Sequence, residues 1–115
     1  MTEIKLINTG NTHRFSIKNA DEEIGTAVVS LVGDVLKLNS IYISPLARRQ
    51  GIARTLLIEA IQYARLNGAK RLEGDFVPEG KTSADKKAAK RFYEEFGIKI
   101  LKGDKLFANL AAIDF

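Results

Sequence analysis

The stretch IYISPLARRQGIARTLL, residues 41–57, decides how the rest of the chain is read. It closes a β-rich run over 35–43, breaks at Pro45 and then starts an apolar stripe. Ile52, Leu56, Ala60 and Ala64 recur every four residues, and Leu57 and Ile61 widen the stripe, which predicts a helix over 51–66. Asn67-Gly68 stops it. Residues 69–77 then read as a strand. A strand, a helix of this length and another strand make a right-handed crossover, so the two strands should run parallel. The helix begins unusually. A Ser, Thr, Asp or Asn cap is the common choice, whereas here Arg48, Arg49 and Gln50 precede Gly51. Backbone N–H groups of a first turn lack partners and, with the helix dipole, favour negative charge. Gly51 would let an anion approach the main chain, Ala53 keeps the turn thin and the arginines add positive charge. These parts fit a pyrophosphate. They equally fit a solvated basic loop that uses a glycine to turn.

Upstream, residues 4–7, 13–18, 24–31 and 35–43 read as four strands joined by the short turns NTGNT, NADEE and Gly33-Asp34, an antiparallel meander. The fourth changes phase. Leu36 and Leu38 mark one face, and Ile41 and Ile43 would fall on the other. Either a β-bulge near Asn39-Ser40 returns both pairs to one side, or the strand is buried on both faces. Downstream, a second helix is expected over 83–96, with Thr82 and Asp85 at its start, Ala89, Phe92 and Phe96 on its apolar edge and Gly97 at its end. Residues 98–101 and 105–110 form a closing hairpin across Lys102-Gly103-Asp104. The class is α+β with a mixed sheet: an antiparallel meander, a parallel β-α-β crossover and a C-terminal hairpin.

The 115 residues, 45% of them hydrophobic, suit a single domain over 1–115. No apolar run approaches 18 residues, and no apolar signal segment follows Met1. With zero cysteines there are no disulfides, thiolate metal sites or cysteine nucleophile, which fits a cytoplasmic protein without a membrane partner. The single histidine, His13, is expected on the surface in a polar turn or strand start, with no ligand set for a metal. The net charge is +4, with basic residues clustered at Lys81, Lys86, Lys87, Lys90 and Arg91. No aromatic residues interleave with that cluster as a base-stacking surface would need, which disfavours nucleic acid. Gly80-Lys81-Thr82 between a strand and a helix suggests a P-loop. That motif needs four residues between its glycines, but five separate Gly74 from Gly80, Pro78 among them.

The segment 41–57 resembles the acyl-CoA-binding motif of the GNAT superfamily of N-acetyltransferases, Gln/Arg-x-x-Gly-x-Gly/Ala, filled by Arg48, Gly51 and Ala53. AAKRFYEEFGI resembles a later family segment through Ala89, Phe92, Tyr93, Gly97 and Ile98. Both stand in the family's order and spacing, and the likeness covers most of the chain. It implies acetyl-CoA or another acyl-CoA as acyl donor and an amine acceptor; no metal is expected. The pyrophosphate would lie on the N–H groups of Gln50, Gly51, Ile52 and Ala53, with Arg48, Arg49, Arg54 and Thr55 close by. The pantetheine would pair with the main chain at Ile41, Tyr42 and Ile43. The bulge is a family feature too, and helps open a gap between the fourth and fifth strands.

The chemistry implied is direct attack of a neutral amine on the thioester. A backbone N–H near Ile43 would stabilise the oxyanion. The thiolate leaves more readily with a proton donor, for which Tyr93 is the match, a phenol normally remaining protonated at neutral pH. Tyr93 also reads as a core aromatic beside Phe92. Glu73 and Asp75 share one strand face, and either can accept the amine's proton through water or hold a cationic amine. A plain polar face is the other reading. Two departures matter. The turn NTGNT leaves no room for the one or two helices that family members usually insert between the first two strands, so one sheet face is open or covered by a second copy of the chain. Seven residues before Tyr93, where the family often has an asparagine that touches the pantetheine, stands Lys86. The rival readings are a non-catalytic acyl-CoA-binding regulatory module and, more weakly, a nucleic-acid-binding basic domain.

Overall fold

Short turns fold the first 43 residues into a meander of four antiparallel strands, β1 (Thr2–Thr9), β2 (Thr12–Asn19), β3 (Glu22–Val32) and β4 (Val35–Ile43). The structure is a computed structural model that describes residues 2–48, 51–77 and 82–113. A single 3-10 turn at Pro45–Ala47 leads to α1 (Ile52–Leu66), β5 (Arg71–Asp75), α2 (Ser83–Glu95), β6 (Lys99–Leu101) and β7 (Lys105–Asn109). Among the described residues, seven strands form one mixed sheet in the order β1-β2-β3-β4-β5-β7-β6. The crossover expected from the sequence is present, and β4 and β5 are parallel. No helix among the described residues is long and apolar enough to cross a membrane.

β5 is shorter than its apolar pattern. The Ala69 N–H closes the end of α1 on Ala64 O, and the Phe76 N–H bonds Asp104 O in the β6–β7 turn. Only residues 71–75 remain for the ladder. The hairpin forms, with β7 inserted between β5 and β6, antiparallel to both. β5 and β6 therefore run parallel. Both crossovers step the same way across the sheet, so right-handedness puts α1 and α2 on one face. The Arg54 guanidinium of α1 accordingly lies 5.1 Å over the ring of Phe96 at the end of α2.

The core fills that side. Leu56, Leu57, Ala60, Ile61 and Ala64 of α1 are fully buried against Ala27, Val29, Leu36 and Leu72 of the sheet. Each large aliphatic side chain so buried contributes about 1.5–3 kcal/mol. Within β4 the bulge is real. Val28 pairs with Ser40 and Val29 with Leu38, leaving Asn39 as the extra residue. Leu36, Leu38, Ile41 and Ile43 consequently all face the helices. The opposite face carries Lys5, Arg14, Lys37, Tyr42, Glu73 and Asp75, and no helix among the described residues covers it.

His13 corrects the expectation of a surface histidine. It is 7% exposed and opposes Val29 on the helix face of the sheet. Its ring lies 5.0 Å from that of Tyr63 in α1, and its Nδ1 is 2.6 Å from Asn8 Oδ1. The alternation of Phe15 and Ile17 extends two residues further back than the polar context suggests, and an imidazole with a side-chain partner can occupy a core position.

Candidate functional site

β4 and β5 pair from Val35↔Arg71 to Leu38↔Gly74 and no further. Past the bulge, no described strand pairs with β4 on that side up to Ile43. The Ser44 N–H bonds Ile24 O, and hydrogen bonding alternates along an antiparallel ladder. Ile41 and Ile43 thus turn their main-chain N–H and C=O groups away from β3, toward the place β5 has left. The Ile43 carbonyl accepts from Arg48 Nε at 3.3 Å, which holds the basic loop against the end of the strand.

This gap opens into a cleft of 410 Å³ between the start of α1 and the flank of α2. One wall comes from Ile41, Ile43, Arg48, Gly51, Ile52, Ala53 and Arg54. Gly51 caps α1 at φ 74°, in the left-handed region that only glycine enters freely. A Cβ there would meet none of the described residues within 4 Å, so none of them blocks the approach to the first-turn amides. Its carbonyl accepts both the N–H and the hydroxyl of Thr55, each at 3.1 Å. The other wall comes from Val77, Asp85, Ala88, Ala89, Phe92 and Tyr93. Thr82 and Asp85 form a reciprocal capping box at the start of α2. The Tyr93 ring packs edge-on against Phe76 and Phe92, with centroids 6.1 and 5.2 Å apart.

The structure brings Ile41, Ile43, Arg48, Gly51, Ile52, Ala53, Arg54 and Tyr93 together around one cleft. Arg49 and Gln50 lie outside the described residues. Thr55 sits one turn in, engaged with Gly51. Tyr42 points its exposed ring to the helix-free face. Lys86 is exposed beside the cleft and is not among its lining residues. Glu73 and Asp75 lie on the helix-free face of β5. Glu73 approaches Arg71 at 3.6 Å, while Asp75 pairs with Lys105. Asp75 stands just past the last β4–β5 pair, closer to the opening than Glu73. Sequence reasoning missed Val77 and Ala88 as lining residues and read Asp85 only as a cap. The faces that α2 presents to the cleft depend on how it docks, which its own periodicity does not specify.

The arrangement offers an anion a helix terminus with two arginines, offers an extended amide the strand side from which β5 has diverged, and places a phenol across from both. The geometry fits an acyl-CoA: a cradle open at Gly51, cationic side chains and unladdered main chain within one cleft.

Comparisons with known proteins agree. The sequence model of the Acetyltransferase (GNAT) family matches residues 2–98. No curated protein sequence matches the chain. Among solved structures, a GNAT family acetyltransferase from Elizabethkingia anophelis with acetyl-CoA bound superposes with a TM-score of 0.71 at 15% identity, over 94% of this chain and 97% of that one. The PaiA N-acetyltransferase of Thermoplasma acidophilum in complex with coenzyme A gives 0.67 at 18% identity, over 84% of this chain. The ribosomal-protein-S18-alanine N-acetyltransferase of Escherichia coli gives 0.67 at 20%, over 87% of this chain and 68% of that one. The chain spans 58% of the length of the Thermoplasma protein.

Proposed function

The chain belongs to the acetyltransferase (GNAT) family, and from that premise we propose that it transfers an acetyl group from acetyl-CoA to a primary amine by direct attack. The observation that carries this reading is the cleft itself, in which the α1 terminus, the unladdered side of β4 and Tyr93 face one another. In it, the N–H groups of Gln50 to Ala53 hold the pyrophosphate, and Arg48, Arg49 and Arg54 supply charge. Ile41 to Ile43 pair with the pantetheine, leaving a main-chain N–H there to stabilise the developing oxyanion. The amine nitrogen forms its bond to the carbonyl carbon, the carbon–sulfur bond breaks, and the thiolate takes a proton from the Tyr93 hydroxyl. The amine reaches the thioester from the helix-free face. There Asp75, with Glu73 behind it, holds the ammonium and takes its proton through water. No helix among the described residues walls in that face, which favours an acceptor that brings its own bulk, such as a protein N-terminus or lysine. The proposed chemistry uses no metal. We read the chain as one domain acting in the cytoplasm, in keeping with its lack of cysteine.

A second reading, an acyl-CoA-binding regulatory module without catalysis, draws on the same open acceptor face. Thiol release from acetyl-CoA with a panel of amines and peptides separates the two. Transfer predicts amine-dependent release, cut at least tenfold in Tyr93→Phe while calorimetric affinity for coenzyme A is retained. Binding without release under any acceptor would favour the module. Wild-type release by Tyr93→Phe would remove Tyr93 as the acid.

A further inference from the structure

The sheet has two edges of different character. β6, at one end, has 3 residues and begins with a lysine. β1, at the other, has 8 residues, pairs with β2 through eight consecutive partners without a shift and contains no proline. Long, regular edges of this kind accept another strand unless charge, proline or a bulge blunts them. Ile4, Leu6 and Ile7 are 40%, 39% and 51% exposed along it. On the helix side, Ile4 and Leu6 border a groove of 360 Å³ whose other walls include Phe15, Tyr63 and Leu66. Leu66, the last residue of α1, is 86% exposed.

We propose that β1 is the dimerisation edge of this protein, pairing antiparallel with β1 of a second copy in the register that sets Ile4 opposite Ile4. The charges of the strand select both occupant and register. A two-fold axis normal to the sheet keeps like faces together, so it must pass through one residue of β1 on each copy. Centred on Ile4, it places Glu3 opposite the partner's Lys5 and Lys5 opposite the partner's Glu3, on the helix-free face. Centred on Lys5, it sets two ammonium groups against each other, which is unfavourable. Centred on Leu6, it leaves Lys5 opposite Ile7 and pairs no charges. The favoured register also sets the Ile4 side chains against each other on the helix side and joins the two grooves into one apolar trough at the axis. A copy lying over the helix-free face would instead obstruct the approach of an acceptor. Edge pairing leaves both clefts and both open faces clear, with β2 and β3 standing between the interface and β4.

Sedimentation of the 115-residue chain over a concentration series at low ionic strength tests this. The wild type should show a monomer–dimer equilibrium. Glu3→Lys and Lys5→Glu, each altering two symmetry-related contacts, should each weaken dimerisation by about tenfold or more. The double variant Glu3→Lys/Lys5→Glu should restore it, and all four proteins should keep the same melting temperature at concentrations where they are monomeric, and the same coenzyme A affinity per chain. A wild type that stays monomeric overturns the proposal, as do single variants that dimerise normally or a folded double variant that does not recover. The donor-site reading survives any of these results, because coenzyme A affinity is measured separately.

Discussion

At Gly51 the backbone stands at φ 74° and a Cβ would meet none of the described residues within 4 Å. Gly51→Glu therefore separates folding from binding. The left-handed conformation costs a non-glycine residue about 1–2 kcal/mol, which lowers stability without abolishing the fold, while a carboxylate beside the first-turn amides repels a phosphate. The expected result is a folded protein that produces no calorimetric heat with coenzyme A, and wild-type affinity would refute the pyrophosphate assignment. Gly25 on β3 makes the opposite kind of demand. A Cβ there would stand 2.8 Å from Ile52 Cγ2 and 2.9 Å from Ile43 Cδ1. The Ile43 methyl can swing aside, but the Ile52 methyl sits on a stiff β-branch in the first turn of α1. Gly25→Ala should lose about 1–3 kcal/mol in denaturant titration and bind coenzyme A more weakly, because the turn that forms the cradle has to shift. Unchanged affinity would mean that the seating of this turn on β3 does not set the cradle. Gly51, Ala53 and Tyr93 were legible as residues because their motifs are local in the chain. Asp85 was legible only as a cap, and His13 was misjudged because its polar neighbours masked a strand phase already visible at Phe15 and Ile17.

The elements themselves were read with differing success, for physical reasons that can be named. α1 carries its own evidence in a full apolar stripe, and β4 betrayed its bulge through the phase change after Leu38. β1 is longer than its apolar residues suggest, because pairing with β2 carries Asn8 and Thr9 along to the turn. β5 is shorter than its pattern, because flanking amides are used elsewhere. α2 depends on its start more than α1 does. None of its residues is buried, so packing contributes less and the capping box contributes proportionately more. Thr82→Ala should cost about 1 kcal/mol, read as a fall of several degrees in melting temperature. Amide exchange should quicken mainly across residues 83–95. Exchange that quickened equally in α1 would show that α2 does not open independently.

At the scale of the molecule, both helices lie on one face and the cleft opens between them; in the proposed reaction the other face is left to the acceptor. That division follows from element order and handedness: the sequence shows the first crossover and the absence of room for a helix after β1, whereas the second crossover and its direction emerge only from the strand order of the sheet. The placement of β7 was less visible. A hairpin of two short strands can meet β5 by either member, and the choice rests on register and packing rather than on composition. Its consequence concerns assembly. Until residues 105–109 dock, one flank of β5 has no neighbour, although β5 supplies one side of the gap beside β4. The first four strands need only near neighbours in the chain, whereas the half of the sheet beyond β4 closes through a contact between its earliest and latest strands, β5 and β7. A nascent or truncated chain lacking β7 should thus show an ordered meander beside an unformed cleft, a hazard for aggregation and a natural checkpoint between folding and activity.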